Sequence, residues 1–191
     1  MKKKDIRHYY KEKRCQLSAS QIEKMNDLML IQFQKLAIEI PSLVMTYAPI
    51  DRFKEFNPQL ITDYCYFKNP NAKFLYPVMD EVEGKDELIA VMVDDETEFI
   101  KNDFGIYEPV EGEDVSPSEI DLIIVPLLGF DKKGYRVGYG KGYYDRLLEQ
   151  CRTDCIKVGF SYFEPVENIE DVCQYDIPLN YCITHETIYS F

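Results

Sequence analysis

The residues whose types and spacing could support chemistry are concentrated at positions 134–145, which read GYRVGYGKGYYD. Three glycines recur two residues apart in this stretch, and a backbone without side chains lets its N–H groups approach an anion closely. Arg136 before these glycines and Lys141 between the last two add positive charge. Asp145 could hold the Mg²⁺ that accompanies a nucleoside triphosphate. The pattern predicts a phosphate-binding loop with two candidate catalytic cations.

The loop is expected where an open α/β sheet binds its ligands. It follows four continuous apolar residues at 122–125, which predict a strand buried on both faces, and it precedes a predicted helix at 142–151. Ligands of such sheets bind outside the carboxyl ends of the strands, and a helix N-terminus favours an anion there. The stretch is neither a Walker A loop nor the GxGxxG fingerprint. On this pattern alone, a loop that only makes tight turns remains the alternative.

The rest of the chain predicts helices alternating with strands. Residues 3–37 are helical in pattern with an interruption at 17–21, where Ser18 or Ser20 can cap the second helix. A further helix is predicted at 58–67, and 111–119 has the composition of an acidic linker. Strands are predicted at 43–47, 73–76 (ended by Pro77), 88–93, 122–125, 156–160 and 182–184. We therefore expect one α/β domain over residues 1–191, a three-layer αβα sandwich around a mostly parallel, Rossmann-like sheet.

Composition narrows the classes of function. A net charge of −12 argues against general binding to nucleic acid, which needs clustered Lys and Arg. The first 14 residues are nevertheless basic, which suits either an anionic ligand or a solvated helix face. Six cysteines without a CxxC pair, and no run of apolar residues long enough for a membrane span, predict a cytoplasmic protein that is not bound to a membrane. We also expect a monomer.

Beyond these patterns, the sequence resembles the 5-formyltetrahydrofolate cyclo-ligase family, also called methenyltetrahydrofolate synthetase. The resemblance rests on DLIIVPLLGFD at 121–131 and GYRVGYGKGYYD at 134–145. It extends to the basic N-terminal helix with Lys3, Arg7 and Arg14, to FGIYEP at 104–109 and to DIPLNYCIT at 176–184. It implies ATP-dependent conversion of 5-formyltetrahydrofolate, with or without a polyglutamate tail, to 5,10-methenyltetrahydrofolate, releasing ADP and phosphate. Phosphorylation of the formyl oxygen would activate its carbon for intramolecular attack by N10.

The resemblance also implies roles for particular residues. Lys141 and Arg136 would act in catalysis by stabilising charge on the transferring phosphoryl group. The residues implied to bind ATP are Lys3, Arg7, Arg136, Val137, Gly138, Tyr139, Gly140, Lys141, Gly142, Tyr143 and Tyr144. Those implied to bind the folate are Ile50, Glu55, Tyr139, Gly140, Lys141, Gly142 and Tyr143. In this set the Glu55 carboxylate would accept hydrogen bonds from the N–H groups of the pterin edge.

One of the two implied metal ligands departs from the pattern of the family. Asp145 matches the Mg²⁺-binding aspartate of the family, whereas Asn180 stands where some members carry a second aspartate. An amide oxygen can ligate Mg²⁺ but adds no negative charge, and Asp176 could compensate.

Three other functions stay open on sequence alone. The chain could be another small ATP-dependent ligase or kinase with a different acceptor, or a noncatalytic nucleotide- or folate-binding protein. An RNA-associated protein would use the basic N-terminal helix, but the overall acidity disfavours it.

Overall fold

The computed structural model describes residues 1–82 and 84–191, along which helices and strands alternate. The helices are α1 (Lys3–Gln16), α2 (Ala19–Lys35), α3 (Gln59–Lys68) and α4 (Tyr143–Gln150). The strands are β1 (Leu43–Met45), β2 (Lys73–Val82), β3 (Lys85–Val93), β4 (Phe99–Lys101), β5 (Tyr107–Pro109), β6 (Glu113–Val115), β7 (Leu122–Val125), β8 (Gly129–Phe130), β9 (Arg136–Val137), β10 (Ile156–Phe160), β11 (Tyr181–Ile183) and β12 (Ile188–Ser190). Among the helices of this described part, none combines the length and apolar character that crossing a bilayer requires.

One sheet organises the molecule, with the strand order β12-β11-β10-β7-β1-β2-β3-β6. Strands β11, β10, β7, β1 and β2 run parallel to one another. At the two ends of the sheet the pairing is antiparallel: β12 pairs antiparallel with β11, β3 with β2, and β6 with β3. All four residues of β7 are buried between two parallel neighbours, as their continuous apolar character predicts.

Helices cover both faces of this sheet because successive side chains of a strand point to opposite sides. On one face Ile124 of β7 packs in a cluster with Phe33 of α2 and Ile61 of α3. On the other face Ile123 packs in a cluster with Leu147 of α4. The predicted α/β fold, with helices on both sides of a mostly parallel sheet, is confirmed.

Helix α1 lies apart from these two layers and packs on the β8–β9 hairpin. Ile6 and Tyr10 of α1 form a buried cluster there with Leu128 and Val137. The chain then turns into α2 through a capping box, in which the N–H of Gln21 donates to the Ser18 hydroxyl and the Ser18 N–H donates to the Gln21 side chain. Of the two predicted caps, Ser18 is therefore the one used.

Two predicted boundaries are wrong. Strand β2 does not end at Pro77 but continues to Val82. Strand β1 pairs with β2 only as far as Leu75, so Pro77 has β3 as its one neighbouring strand, and a proline without an N–H is tolerated at such an open edge. The acidic segment 111–119 is not simply a linker, because its residues Glu113–Val115 form β6 and pair with β3.

Candidate active site

A cavity of about 480 Å³ opens at the carboxyl ends of β1 and β7. Tyr47 and Ala48, which follow β1, and Pro126, which follows β7, lie in its wall. Pro77 and Met79 contribute apolar surface from the half of β2 that extends beyond β1. The cavity thus occupies the place where open α/β sheets bind their ligands.

The β8–β9 hairpin carries the chain from β7 to the glycine-rich loop, and Asp131 fixes its shape. The Asp131 Oδ1 atom accepts hydrogen bonds from the N–H groups of Lys133 (2.9 Å) and Tyr135 (3.1 Å). Its Oδ2 atom accepts one from the N–H of Ile169 (3.0 Å). Asp131 is fully buried, and these bonds compensate for the lost hydration of its carboxylate. The hairpin therefore holds the loop that follows it in a defined orientation.

The loop at 138–142 lines the cavity in backbone conformations that glycine favours. Gly140 and Gly142 have φ values of +101° and +72°, in the left-handed region. A Cβ atom placed on Gly138 would meet no described atom within 4 Å, so the backbone there is accessible. Gly142 is also the N-cap residue of α4. Because glycine has no side chain that could accept a hydrogen bond, N–H groups of the first turn of α4 remain free to bind an anion.

The cations predicted from the sequence converge on this loop. Lys3 Nζ lies 2.5 Å from Asp176 Oδ2, and Arg7 Nε donates to the carbonyl oxygen of Gly138 at 2.8 Å. Arg136 Nη2 lies 3.2 Å from Asp145 Oδ1, and Lys141 is exposed at the cavity. We call the part of the wall formed by Lys3, Arg7, Arg136, Lys141 and the three loop glycines (138, 140 and 142) the cationic side.

Arg136 gives the clearest sign that this side suits an anion. The residue is 6% exposed and lines the cavity. Its Nε and Nη2 atoms make no hydrogen bond within the described residues, although Nη2 is near Asp145. Buried donors without acceptors are costly, and the guanidinium charge held at the cavity wall favours an anion there. The donor set therefore fits the phosphates of a nucleotide.

Glu55 lies in a neighbouring part of the cavity wall, which we call the Glu55 side together with Ile50 and Tyr139. A short 3-10 helix (Asp51–Phe53) ends at Lys54, whose left-handed backbone (φ +45°) is followed by the buried Glu55. Glu55 Oε2 accepts a hydrogen bond from the N–H of Ile50 (2.8 Å), and Oε1 accepts one from the Tyr139 hydroxyl (3.0 Å). Both predicted folate-contact residues of this segment, Ile50 and Glu55, therefore lie in the cavity wall.

The electrostatics of the Glu55 side follow from its burial. Burial raises the pKa of the Glu55 carboxyl above its ordinary value. The N–H of Ile50, the charge of Arg14 and the Tyr139 hydroxyl oppose this increase in pKa without cancelling it. Burial, and then the Glu55 charge, raise the pKa of Tyr139, so its phenol stays protonated and remains a donor.

The remaining predicted residues of the loop separate into two groups. Tyr143 and Tyr144 line the cavity with residues 138–142. Val137 does not line the cavity: its side chain is buried against Ile6 and Tyr10 of α1. The prediction that Val137 binds ATP therefore has no support from its side chain, which packs in the protein interior.

The two predicted metal ligands are not brought together. Asp145 lines the cavity, but Asn180 lies at the amino end of β11, whereas the cavity is at the carboxyl ends of the parallel strands. The Asn180 amide oxygen accepts a hydrogen bond from the N–H of Lys157 at 2.8 Å. Asp176 lines the cavity instead, although it is paired with Lys3. Over residues 1–82 and 84–191, no group of three His, Cys, Asp or Glu side chains forms a metal site.

Several residues of the cavity wall were not predicted. Phe53 stacks on Tyr139 with ring centres 5.4 Å apart, and Lys11 Nζ lies 4.8 Å from the centre of the Phe53 ring. Glu108, within the FGIYEP motif, accepts a hydrogen bond from the N–H of Met79 at 3.1 Å. Of these three residues, Glu108 is the one that lies in a motif identified in the sequence. The contacts of Phe53 and Lys11 depend on tertiary structure, which the sequence does not show.

Comparison with known proteins gives a consistent result. The model of the 5-formyltetrahydrofolate cyclo-ligase family matches residues 1–181. The NMR structure of 5,10-methenyltetrahydrofolate synthetase from Aquifex aeolicus superposes with a TM-score of 0.81 at 31% identity, covering 100% of this chain and 93% of that one. The Mycoplasma genitalium 5-formyltetrahydrofolate cyclo-ligase is 39% identical over 70 residues, which are 36% of this chain and 42% of that protein. The Escherichia coli K12 5-formyltetrahydrofolate cyclo-ligase is 26% identical over 171 residues, which are 84% and 93% of the two chains. The match thus spans less than half of the Mycoplasma genitalium protein but nearly all of the Escherichia coli one.

The fold and the cavity define an α/β protein in which a glycine-rich loop with cations around it and a buried carboxylate line one pocket. The match to the family model over residues 1–181 makes the assignment specific: the chain belongs to the 5-formyltetrahydrofolate cyclo-ligase family.

Proposed function

We propose that the protein is an ATP-dependent ligase that converts 5-formyltetrahydrofolate to 5,10-methenyltetrahydrofolate, releasing ADP and phosphate. The observation that carries the proposal is that a cationic glycine loop and the buried carboxylate of Glu55 line the same cavity. A reaction that transfers a phosphoryl group from a nucleotide to a substituent of a nitrogen heterocycle needs both kinds of recognition in one place. The names of the relatives support the choice of substrate.

The cationic side would bind the triphosphate. Lys3 and Arg7 would contact its phosphates, with the backbone N–H groups of 138–142 and the first turn of α4. Arg136 would give its unpaired N–H groups to a phosphate oxygen. Lys141, which is exposed and lines the cavity, would stabilise the charge that develops on the phosphoryl group.

The Glu55 side would bind the folate. Each carboxylate oxygen of Glu55 already accepts one hydrogen bond from the protein and has capacity for another. Those positions suit the adjacent N–H groups of a pterin edge. The Tyr139 ring and the apolar side chain of Ile50 would pack against the ring system.

The chemistry is one of positioning and charge neutralisation. Transfer of the terminal phosphoryl group of ATP to the formyl oxygen releases ADP and turns that oxygen into a good leaving group. N10 then attacks the formyl carbon and loses its proton, and inorganic phosphate departs with the former formyl oxygen. Holding N10 next to the activated carbon is worth up to roughly 7–11 kcal/mol in favourable intramolecular reactions.

Magnesium would be held by Asp145 together with the nucleotide phosphates, since Mg²⁺ in such sites needs only one or two protein carboxylates. When bound, it would supply positive charge that screens the phosphates. Asp176 is the other carboxylate at the same wall, and Lys3 must move away for it to take part.

The test is an absorbance assay at neutral pH with purified protein, 5-formyltetrahydrofolate and Mg·ATP. We expect the near-ultraviolet band of the methenyl product to develop, with one phosphate released per product molecule. Omission of ATP, or its replacement by ADP, should abolish the signal. Phosphate release without the band would instead indicate an ATP-using enzyme with a different acceptor, and the absence of both would indicate a noncatalytic binding protein.

A further inference from the structure

Arg14, in the last turn of α1, is a buried cation outside the cavity wall. It is 1% exposed, and its Nη2 atom donates to the carbonyl oxygen of Leu127, just after β7. The guanidinium carbon lies 5.9 Å from the centre of the Tyr162 ring. Within residues 1–82 and 84–191 its Nε and Nη1 atoms have no hydrogen-bond partner. A buried cation with so few acceptors needs an opposite charge nearby to be tolerated.

Glu55 is placed to supply that charge, because Lys54, the residue before it, is bound to the end of α1. The Lys54 Nζ atom donates to the carbonyl oxygens of Cys15 (2.9 Å) and Leu17 (2.6 Å), which closely follow Arg14. The buried carboxylates of the described residues are those of Glu55 and Asp131. Asp131 is already bound by three backbone N–H groups, whereas Glu55 has one backbone N–H and the hydroxyl of Tyr139. The charge of Arg14 acts on Glu55, and it also acts on Tyr139. Arg14 is thus a buried cation that does not line the cavity but balances the charge of the Glu55 carboxylate, which does.

We propose that Arg14 is a positioning residue: its buried guanidinium keeps the Glu55 carboxylate ionised and in place to accept the ring N–H groups of the folate, without contacting the folate itself. The inference rests on the proposed function, because it assigns Glu55 to the pterin edge. An ionised carboxylate is an acceptor at both oxygens, whereas a protonated one donates from one of them and loses the match to two adjacent N–H groups. Arg14 would therefore extend folate binding to lower pH.

The other groups that face Glu55 do not titrate in the same range. Burial raises the pKa of Tyr47, of Tyr144 and of Tyr162, the last to about 12, and these phenols therefore stay neutral at physiological pH. The phenol of Tyr139 stays neutral for the same reason. Lys11, whose Nζ lies 5.3 Å from the centre of the Tyr139 ring, adds a positive charge from the open side of the cavity. Arginine remains a cation throughout, so Glu55 is the group whose protonation state can change.

The experiment measures 5-formyltetrahydrofolate binding by titration calorimetry, without ATP, from pH 6 to pH 8.5. The variants are Arg14→Gln, which keeps a donor for Leu127 but removes the charge, and Arg14→Lys, which keeps the charge. Glu55→Gln and the double variant Arg14→Gln/Glu55→Gln complete a cycle. Thermal unfolding of each variant establishes that it is folded, and the affinity for Mg·ATP serves as an internal control.

We expect Arg14→Gln to move the loss of folate binding to higher pH. For each pH unit by which this transition moves upward, folate binding at a given pH on its acid side becomes about tenfold weaker. The reason is that the ionised fraction of Glu55 falls tenfold per pH unit there. Arg14→Lys should keep the transition near its wild-type position. In the Glu55→Gln background the Arg14→Gln change should have no pH-dependent effect, and Mg·ATP affinity should stay within about threefold in all variants.

The proposal is overturned if Arg14→Gln is folded and shows the wild-type pH profile, or if its pH-dependent effect persists when Glu55 is replaced. Should Arg14→Gln not fold, a folded Arg14→Lys variant whose transition moves upward by a pH unit or more would equally overturn it. A wild-type protein that neither binds 5-formyltetrahydrofolate nor forms the methenyl product contradicts the proposed function, which is a separate result.

Discussion

The two sides of the cavity hold their charges differently. On the cationic side, the ion pairs leave one or both partners partly accessible: the Lys3 and Asp176 side chains are 16% and 12% exposed, and Asp145, the partner of Arg136, is 21% exposed. On the Glu55 side the carboxylate is almost fully buried and bound through both oxygens. A solvent-accessible ion pair contributes about 0–1 kcal/mol and can be exchanged for a ligand, whereas a buried network resists rearrangement.

This difference suits two substrates with different demands. The negative charges of a triphosphate can take the places of Asp176 and Asp145 beside Lys3 and Arg136. When the triphosphate leaves, the two ion pairs can form again. A neutral pterin edge offers only directional hydrogen bonds, so its acceptor must already be in place. Under the proposed function, the adaptable cationic side would bind the nucleotide and the fixed Glu55 side would bind the folate.

The substitution Lys141→Ala has the largest expected effect, and it tests whether the cationic side acts on the nucleotide. Lys141 is exposed and its side chain is bound to no acceptor in the described residues, which leaves it available for the moving phosphoryl group. We expect turnover to fall by about 10²–10³-fold, as when one preorganised charge-stabilising donor is lost. The free energy of unfolding should change by no more than about 0.5 kcal/mol, because the replaced side chain is at the surface.

Steady-state turnover and urea unfolding of Lys141→Ala give the two numbers. Lys132→Ala is the matched control, since Lys132 lies on the preceding hairpin and pairs with Glu167 away from the cavity. Turnover within threefold of wild type in Lys141→Ala would remove Lys141 from the catalytic set.

The cationic side was predictable from sequence because its parts are contiguous. The strand 122–125, the glycines and two cations follow one another in 24 residues, 122–145, so local pattern rules suffice. Lys3 and Arg7 were added only through family resemblance, since α1 reaches the loop across more than 130 residues of sequence. Asn180 was named through family resemblance alone, and its place just before β11 puts it at the amino end of that strand, away from the cavity.

The Glu55 side was much less predictable. Glu55 itself was placed by resemblance, but its contact with Tyr139 joins residues 84 positions apart, and Arg14 looked like one more charge of a basic helix. A single sequence records neither the burial of an arginine nor the carboxylate that balances it. The strand beyond Pro77 was missed for a related reason, because proline signals a strand end unless the neighbouring strand is known to stop first.

Gly140→Ala tests whether the cationic side depends on backbone shape as well as charge. A Cβ atom at Gly140 would lie 3.1 Å from the Arg7 guanidinium carbon, and the φ of +101° is unfavourable for alanine. We expect the KM for ATP to rise about tenfold, equivalent to the loss of one charge-assisted hydrogen bond, with little change in the KM for the folate.

Gly84→Ala controls for backbone strain in the kinetic comparison with Gly140→Ala. Gly84 also has a left-handed φ, of +77°, but no described atom lies within 4 Å of its Cβ position. Its KM for ATP should be that of the wild type. Equal effects of the two substitutions would show that strain, and not the position of Arg7, limits nucleotide binding.

The substitution Asp176→Asn has the smallest expected effect, and it measures how much the partly exposed Lys3–Asp176 ion pair contributes to the free energy of unfolding. Partial burial raises the pKa of Asp176, but hydrogen bonds from Lys3 and the N–H of Cys173 outweigh it, and the net pKa is below the ordinary value. A carboxyl with a lowered pKa in the folded state stabilises the protein above the unfolded pKa, and that stability is lost as the pH falls through the folded pKa. We therefore expect Asp176→Asn to lower the free energy of unfolding by about 1 kcal/mol at pH 7, and the difference from wild type to shrink between pH 5 and pH 3.

Urea unfolding across this pH range measures the effect, and Glu167→Gln is the control because its pair with Lys132 is far more exposed, at 84% and 56%. That variant should be near neutral at every pH. A loss of more than about 3 kcal/mol in Asp176→Asn would place the Lys3–Asp176 pair with buried ion pairs. Lys3 would then not be free to leave Asp176 for a phosphate, and the contrast between an adaptable cationic side and a fixed Glu55 side would fail at the residue where it is easiest to measure.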